Sequence, residues 1–221
     1  LGCETQDVTD LPPTPIVLSP VVLEGTFVRL EPLNVDHVAG LAAAASESRD
    51  TYAFTWVPEG EAAVLAYVDA ALRDHAAGKA LPFATVRRES GRVVGTTRFG
   101  NVEHWSWPDG SPHRREVDAV EIGWTWLAAS AQRSPVNTEA KYLQLCHAFE
   151  VWRVHRLVLL TDERNARSRA AIERIGARQE AILRDHRPAA DGTLRSSALY
   201  SIVESEWPSV KVALEERLKP R

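Results

Sequence analysis

The chain has 221 residues, of which 44% are hydrophobic and 25% are charged, as in an ordinary soluble globular protein. Its net charge of -4 argues against a nucleic-acid-binding protein, because such domains are usually strongly basic. The only cysteines are Cys3 and Cys146, so we expect no disulfide framework, no cysteine zinc site and a reducing, cytoplasmic location. No apolar run approaches the roughly 20 residues of a membrane span. Since methionine is absent even at position 1, we expect a processed or trimmed start.

The first part of the chain differs from the rest in composition. Residues 1–21 carry Pro12, Pro13, Pro15 and Pro20 among polar residues, which is typical of an extended arm. Residues 22–221 contain no internal repeat and no second linker, so we expect them to form a single domain.

One strand and two helices are predicted next. Residues 27–30 form the strand, which ends near Pro32. Asn34 can cap a helix whose buried positions are Val38, Leu41, Ala42 and Ala45. A second helix follows Pro58 and stops at Gly78, with Leu65, Val68 and Leu72 on its buried side.

A hairpin and a further strand occupy the middle of the chain. Two β-rich runs in "PFATVRRESGRVVGTTRFGNV" flank the turn residues 89–91. Residues 104–115 are rich in tryptophan, proline and glycine and are predicted to be a loop. From Ala119 the sequence alternates, which places four apolar side chains on one face, Val120, Ile122, Trp124 and Trp126. We therefore expect Trp124 and Trp126 in the core and Glu121 on the opposite face.

The last part of the chain alternates between helices and strands. In residues 131–150, an irregular polar stretch with Pro135 precedes a helix that would bury Tyr142, Leu145, Cys146, Phe149 and Trp152 and expose Lys141, Gln144 and Glu150. Residues 157–160 are an unbroken apolar run, typical of a strand covered on both faces. Asn165 caps another helix, which buries Ile172 and Ile175 and ends at Gly176. The strands "QEAIL" and "SSALYSIV" and a helix capped by Ser205 complete the chain.

The predicted order is β-α-α-β-β-β-α-β-α-β-β-α, a mixed α/β domain. In the β-loop-α-β unit formed by residues 120–127, the loop, the helix and residues 157–160, the helix begins at the carboxyl end of the preceding strand, where ligands of open sheets commonly bind. The first N–H groups of a helix have no partner within it, and its macrodipole is positive there, so this helix start could hold a pyrophosphate. An ordinary capped helix accounts for the loop equally well.

These features resemble the GNAT superfamily of acyl-CoA-dependent N-acetyltransferases, and within it the RimJ/RimL-like branch. The resemblance rests on the order of elements, the hairpin, the loop and helix after residue 131, and Asn165-x-x-Ser168, and it covers about residues 22–204. It implies a central mixed sheet of about six to seven strands flanked by helices. It also implies acetyl-CoA, or another short acyl-CoA, as cosubstrate, with no metal.

In that family the loop has Gln or Arg, two residues, Gly, one residue, then Gly or Ala, and its amides bind the coenzyme A pyrophosphate. Residues 138–140 match the Thr-Glu-Ala common in the branch, so the motif falls on residues 132–137. Pro135 and Asn137 stand where glycine, and glycine or alanine, are usual, and proline removes one amide donor. The implied coenzyme-binding residues are Gln132, Arg133, Ser134, Val136, Asn137 and Thr138.

Acyl transfer to an amine needs a base for the ammonium and a proton for the departing thiolate. Glu121, a carboxylate within an apolar strand, is the candidate base, although a structural carboxylate is an equally good explanation; Asp118 and Glu116 are weaker candidates. The resemblance implies that Asn165 bonds the pantetheine arm and that Ser168 lies by the sulfur. Many members carry a tyrosine where this chain has Ile172, so Ser168 or solvent would supply the proton.

Arginines and aromatic residues complete the candidate site. Arg167 is the one we assign to coenzyme binding among five arginines that could meet the 3′-phosphate or be solvated, Arg164, Arg167, Arg169, Arg174 and Arg178. Residues in predicted loops could wall an acceptor pocket, namely Trp56, Trp105, Trp107 and His186. The tryptophans could equally form a subunit contact, and His104 and His186 are second-choice bases. The histidines show no metal-ligand spacing.

We therefore predict an N-acyltransferase that acts by direct attack in a ternary complex, because Cys146 lies on a buried stripe and no Gly-x-Ser-x-Gly surrounds Ser168. Its acceptor would be a protein N-terminus or a small amine. One alternative is an antibiotic- or polyamine-acetylating enzyme, and the mixed charges of residues 101–118 do not decide between them. An alternative of another class is a non-catalytic acyl-CoA-binding module, favoured by the altered loop and the missing tyrosine. We expect a homodimer and no nucleic-acid or membrane partner.

Overall fold

The computed structural model describes residues 18–219. Its strands are β1 (Leu23–Glu24), β2 (Val28–Pro32), β3 (Ala80–Arg87), β4 (Val93–Glu103), β5 (Ala119–Leu127), β6 (Arg156–Asp162), β7 (Arg178–Pro188) and β8 (Leu194–Val203). Its helices are α1 (Val38–Ser46), α2 (Glu61–Ala76), α3 (Pro135–Cys146), α4 (Ala166–Arg174) and α5 (Trp207–Leu218). A π-helical turn, His147–Val151, continues α3.

The strands form one sheet of eight in the order β1-β2-β3-β4-β5-β6-β8-β7. Among the described strands, β5 and β6 are the only parallel neighbours, and all other pairs are antiparallel. The predicted mixed α/β class and the order of the longer elements are confirmed. The strand count exceeds the expected six to seven because the very short β1, residues 23–24, pairs with β2.

The parallel pair is short, and this creates space in the sheet. Register between β5 and β6 runs only from Ala119 opposite Arg156 to Glu121 opposite Val158. Beyond Glu121 the two strands separate, and α3 follows β5 at the open end. The half-buried Leu160 lies at this opening, so the predicted complete cover of both faces of β6 is wrong there.

A bulge in β5 redirects Trp124. Arg98 pairs with Gly123 and Thr96 with Trp126, so two residues of β5 lie opposite the single residue between them on β4. Trp124 has a φ of 50° and its residue is 39% exposed. The prediction that Trp124 is a core residue is therefore wrong, because alternation continues only while the register holds. Trp126 is buried, as predicted.

Helix α3 buries polar side chains that the pattern placed on its exposed side. Gln144 is completely buried and Lys141 is only 5% exposed. The predicted exposure of Lys141 and Gln144 is wrong because this helix packs against threonine hydroxyl groups of β4 and β5. These bond to Lys141 Nζ and Gln144 Oε1, while Gln144 Nε2 has no partner among the described residues. Leu145 and Phe149 are buried, as predicted.

Two helix predictions are wrong by a few residues, namely the buried positions of α2 and the start of α5. Helix α2 begins at Glu61 and its buried stripe is Val64, Tyr67, Val68 and Ala71, whereas Leu65 is 43% exposed. Ser205 lies inside a short 3-10 turn, so α5 begins after it rather than being capped by it. Asn34, in contrast, caps its helix through its side chain, and Asn165 caps α4, as predicted.

Of the predicted arm, residues 1–17 lie outside the described residues. The last residues of this predicted arm contact the domain. Leu18 is buried in the core, and its carbonyl oxygen lies 2.7 Å from Nε2 of His75 on α2.

Candidate active site

A cavity of about 1140 Å³ opens where β5 and β6 separate. Its walls come from the two strands, from the first turns of α3 and α4, from the connection between α1 and α2, and from the end of β7 and the start of β8. Most of the residues predicted for the site line it, namely Trp56, Glu121, Gln132, Arg133, Ser134, Asn137, Thr138, Asn165, Arg167 and Ser168. The splayed parallel pair therefore brings together residues that are distant in sequence.

The start of α3 presents backbone donors to this cavity. The Ser134 hydroxyl accepts a hydrogen bond from the Val136 amide at 3.4 Å, and Pro135 occupies the first turn. Arg133 has a φ of 56°, and the amides of Arg133 and Ser134 have no acceptor among residues 18–219. The positive end of a helix thus lies beside free amides, an arrangement that favours an anion.

Not all of the predicted loop donors are free. The Val136 amide is engaged by Ser134, and the Val136 side chain is buried in the core, so its predicted role in coenzyme binding is not supported by this geometry. The Thr138 amide is the first that can bond to a carbonyl within the helix. The Thr138 side chain still lines the cavity.

Gln132 and Arg167 tie the starts of α3 and α4 to the connection between α1 and α2. Gln132 Nε2 donates to Thr51 Oγ1 at 3.1 Å and to the Leu127 carbonyl at 2.9 Å. Arg167 Nη1 donates to Gln132 Oε1 at 3.0 Å, and its other nitrogen donates to the Thr51 carbonyl. Gln132 therefore links the start of α3 to the connection between α1 and α2 through hydrogen bonds. Arg167 places a positive charge at the rim of the cavity.

At the start of α4, the Asn165 side chain caps the helix through one atom and keeps another free at the cavity. Asn165 Oδ1 accepts the Ser168 amide at 3.0 Å and so caps the helix. Among the described residues, neither Asn165 Nδ2 nor the Ser168 hydroxyl has a hydrogen-bond partner, and both residues line the cavity. Asn165 can cap the helix and still donate to a ligand, and the Ser168 hydroxyl is free to donate a proton.

Glu121 is the last residue of β5 that pairs with β6, and it is only 5% exposed. Its Oε2 accepts a hydrogen bond from Asn101 Nδ2 at 2.6 Å. Burial raises the pKa of the Glu121 carboxyl above its usual range, against the Asn101 hydrogen bond and the charges of Arg187 and Arg195, which lower it. A carboxylate with one anchored oxygen and a raised pKa is suited to general-base catalysis.

Lys141 is a site residue that sequence analysis missed. Lys141 lines the cavity, and its Nζ donates to Thr125 Oγ1 at 2.7 Å, Thr97 Oγ1 at 2.9 Å and Gln144 Oε1 at 3.3 Å. Burial, with no carboxylate in contact, lowers the pKa of Lys141 to about 7. The sequence did carry one indication that Lys141 is buried, because it lies one turn before Leu145, on the side of the helix that is buried.

Two arginines of the last hairpin also line the cavity and were not predicted. Arg187 and Arg195 are directly opposite each other on β7 and β8. Burial, together with the charge of Arg187, lowers the pKa of Arg195. They were missed because nothing in a linear sequence indicates that these strands are neighbours in this register.

Three residues predicted for the acceptor pocket do not line the cavity. Trp105 and Trp107 lie in a separate cluster, where the Trp105 amide and the Trp107 Nε1 each donate to the Asp118 carboxylate at 2.7 Å. Asp118 is thereby committed to this loop, which removes it as an alternative base. His186 lies within β7 instead of a loop. These tryptophans were misplaced because the loop folds back on Asp118 rather than over the sheet opening.

The remaining arginines divide into two groups. Arg167 and Arg174 line the cavity. Arg164 pairs with Asp162 at 2.8 Å, and Arg178 pairs with Glu206 at 3.0 Å. Arg169 donates to Tyr200 at 3.1 Å. Arg164, Arg169 and Arg178 are thus occupied in structural contacts.

The position of Cys146 disfavours nucleophilic catalysis by a cysteine. Cys146 is half-buried outside the cavity, and burial raises the pKa of its thiol, which disfavours a nucleophilic thiolate. Within residues 18–219 no cluster of His, Cys, Asp and Glu could hold a metal ion. The helices of this part of the chain include none with the length and apolar character needed to cross a membrane.

The fold and the first part of the sequence match known acetyltransferases. A family model described as an acetyltransferase (GNAT) domain matches residues 28–178. A GCN5-related N-acetyltransferase from Brucella melitensis is 31% identical, with a TM-score of 0.78 and coverage of 92% of this chain and 88% of that one. A protein of T. thermophilus classed as an acetyltransferase is 33% identical, with a TM-score of 0.73 and coverage of 91% and 98%.

A more distant relative carries the name of the branch suggested by the sequence. Mycobacterium smegmatis RimJ, solved in complex with CoA-disulfide, is 23% identical, with a TM-score of 0.72 and coverage of 92% of this chain and 95% of that one. It shares the fold, which agrees with the predicted RimJ/RimL-like branch. A search of curated proteins found no match. Because the family model spans more than half of the chain, the chain belongs to the GNAT acetyltransferase family and is an N-acetyltransferase.

Proposed function

We propose that this protein transfers an acetyl group, or a related short acyl group, from acyl-CoA to a primary amine by direct attack in a ternary complex. The observation that carries the proposal is that one cavity joins the free amides at the start of α3 to the Glu121 carboxylate. Direct attack is supported by the position of Cys146 outside that cavity, which leaves it no access to an acyl group.

The residues at the α3 and α4 starts fit a coenzyme A diphosphate and its pantetheine arm. The free amides of Arg133 and Ser134 and the positive end of α3 would hold the diphosphate, with the Arg167 charge nearby. Asn165 Nδ2 is available to the pantetheine amides. When bound, the coenzyme supplies an acyl group activated as a thioester. Pro135 removes one donor, but the arrangement keeps others.

The acceptor chemistry would rest on Glu121. Its raised pKa allows it to take a proton from the ammonium group of the acceptor, directly or through water, and so expose the amine lone pair. Gly123 leaves room beside it, because a Cβ there would lie 2.7 Å from Glu121 Oε1. The Ser168 hydroxyl, or water, would donate a proton to the departing thiolate, since Ile172 occupies the position of the usual tyrosine.

Aromatic and basic side chains that line the cavity limit the acceptor. Trp56 and Trp124 offer partly exposed rings, and Arg187 and Arg195 add positive charge. This charge disfavours the polyamine or polycationic-antibiotic alternative. A protein N-terminus, as in the RimJ/RimL-like branch, or a small amine remains the proposed acceptor. A homodimeric, cytoplasmic protein with a Pro-rich arm at 1–21 and a single domain at 22–221 also remains part of this proposal.

A thermal-shift titration followed by thiol-release kinetics tests the proposal. Acetyl-CoA is expected to raise the melting temperature, and CoA release is expected to depend on an added amine. Asn165→Ala should weaken the shift, and Arg178→Gln, whose side chain pairs with Glu206 outside the cavity, serves as the matched control. Coenzyme binding without amine-dependent thiol release across peptide and small-molecule amines would contradict the proposed transfer.

A further inference from the structure

Two arginines of the last hairpin line the same cavity as Glu121. Arg187 of β7 and Arg195 of β8 are directly opposed in the antiparallel register, and both side chains line the cavity. Like charges placed opposite each other on a sheet destabilise it, and partial burial of both residues increases the cost.

Neither guanidinium has a carboxylate partner within 4.0 Å in the described part of the chain. Arg195 Nε donates to Ser197 Oγ at 3.1 Å, and Arg187 Nη2 lies 3.5 Å from His186 Nε2. On the same two strands, Arg178 does have an acidic partner, Glu206. Arg184 of β7 also lacks an acidic partner in this part of the chain, but it is exposed, whereas Arg187 and Arg195 are half-buried and line the cavity.

The coenzyme phosphates have a separate binding place in the proposed function. Free amides, Arg133 and Arg167 lie at the starts of α3 and α4, whereas Arg187 and Arg195 act on the carboxylate of Glu121. The arginine pair is thus grouped with the base that would receive the acceptor. A ligand that satisfies both guanidinium groups would carry its negative charge close to its reacting amine.

We propose that Arg187 and Arg195 form a subsite for an anionic group of the amine acceptor, so that the substrate class is an amine bearing a carboxylate or phosphate. This inference rests on the proposed function. Two guanidinium groups suit either anion, because their forked donors match its oxygen atoms.

Matched acceptors test the subsite. The pairs are β-alanine with β-alaninamide, O-phosphoethanolamine with ethanolamine, and a short peptide with glutamate or glutamine as its second residue. Each is assayed at saturating acetyl-CoA with the unmodified chain, Arg187→Gln, Arg195→Gln and the control Arg178→Gln. Comparing variant with unmodified protein for each acceptor cancels differences in intrinsic amine reactivity. The pair with the largest preference identifies the anion and whether it belongs to a small molecule or a peptide.

We expect kcat/KM for the anionic member of at least one pair to fall about tenfold or more in each cavity variant. For its neutral partner, kcat/KM should stay unchanged, as should the acetyl-CoA-induced thermal shift and all values for Arg178→Gln. Equal use of both members of every pair by the unmodified chain, or equal losses for both members in the variants, overturns the inference.

Binding measurements separate this inference from the proposed function. Calorimetric titration of the same acceptors into protein saturated with CoA needs no turnover. Selective binding of an anionic amine that is lost in Arg187→Gln and Arg195→Gln supports the subsite even if no acyl transfer is detected, and in that case the proposed function alone fails. Acyl transfer to amines without any preference for an anionic acceptor would support the proposed function and contradict the subsite.

Discussion

Two glutamates of this chain are equally buried, each only 5% exposed, yet their surroundings differ. Glu139 on α3 accepts hydrogen bonds from the amides of Thr26, Phe27 and Val28 at 2.6–2.8 Å. Glu121 on β5 accepts a hydrogen bond from Asn101 at 2.6 Å and lines the cavity. Glu139 is surrounded by donors, whereas Glu121 keeps hydrogen-bonding capacity for a ligand.

The difference shows that burial alone does not identify a catalytic carboxylate. Glu139 fixes α3 to the turn between β1 and β2, where a Cβ on Gly25 would lie 2.4 Å from the carboxylate carbon. Glu121 sits where the parallel pair ends, and burial raises its pKa. A carboxylate saturated with amide donors stabilises the fold, and one with few donors beside a cavity is suited to take a proton.

The largest effect is expected for Glu121→Gln. It removes the base but keeps the shape of the side chain, so kcat should fall about 10²- to 10⁴-fold while acetyl-CoA binding is retained. Steady-state kinetics and thermal shift with acetyl-CoA measure the two quantities. Glu116→Gln, an exposed carboxylate in the preceding loop, is the control and should keep full activity. An unchanged kcat in Glu121→Gln would remove this residue from the mechanism.

The partner substitution, Glu139→Gln, should act on stability. An amide in place of the carboxylate loses charge-assisted bonds and turns a donor toward the backbone amides, which should lower the free energy of unfolding by about 3 kcal/mol. Urea denaturation measures this loss. Its kcat, assayed where the protein is folded, should fall far less than that of Glu121→Gln. A larger kcat loss than in the Glu121 variant, at unchanged stability, would reverse the assigned roles.

The pH dependence of kcat/KM sharpens the comparison. Because the pKa of Glu121 is raised, its basic form is lost as pH falls through that raised value, so the acid limb should lie above the usual range of a glutamate. Asn101→Gly removes the hydrogen bond that lowers this pKa and should move the limb to higher pH. Glycine also tolerates the φ of 46° at this position. If the acid limb does not move in Asn101→Gly, it reports the titration of a group other than Glu121.

The smallest effect concerns Lys141→Met. Because the folded-state pKa is lowered to about 7 from 10.5, the unfolded chain binds one more proton between these values. Burial of the lysine is therefore most costly below about pH 7, and the cost disappears as pH rises toward 10.5. Lys141→Met should stabilise the fold by about 1 kcal/mol at pH 7 and less at pH 9.

Denaturation at both pH values measures that difference. Lys79→Met, at a position outside the cavity, is the control and should show no such trend. A stability difference that grows between pH 7 and 9 would contradict the lowered pKa.

The sequence predicted the fold where patterns were regular. The hairpin around Gly91, the caps at Asn34 and Asn165 and the order of the longer elements all follow from local spacing. The bulge that exposes Trp124 could not be predicted, because it depends on register with β4. The burial of Lys141 was missed because hydroxyl groups from two other strands satisfy it.

The part of the candidate site formed by the starts of α3 and α4 was predictable, because each start comes from one short segment of the chain. The starts of α3 and α4 are each encoded by a short capped stretch, and both lie at the cavity. The acceptor side combines Glu121 and Asn101 with arginines of the last hairpin, so it exists only after the sheet has formed. Trp105 and Trp107 were assigned to it because loop residues carry no information about the direction in which the loop folds.

The most direct test of the account is a crystal structure of the chain with coenzyme A. We predict that the diphosphate lies within hydrogen-bonding distance of the amides of Arg133 and Ser134, with the thiol directed toward Glu121 between β5 and β6. Density for the coenzyme at another place, with the sheet opening closed by side chains, would contradict the account.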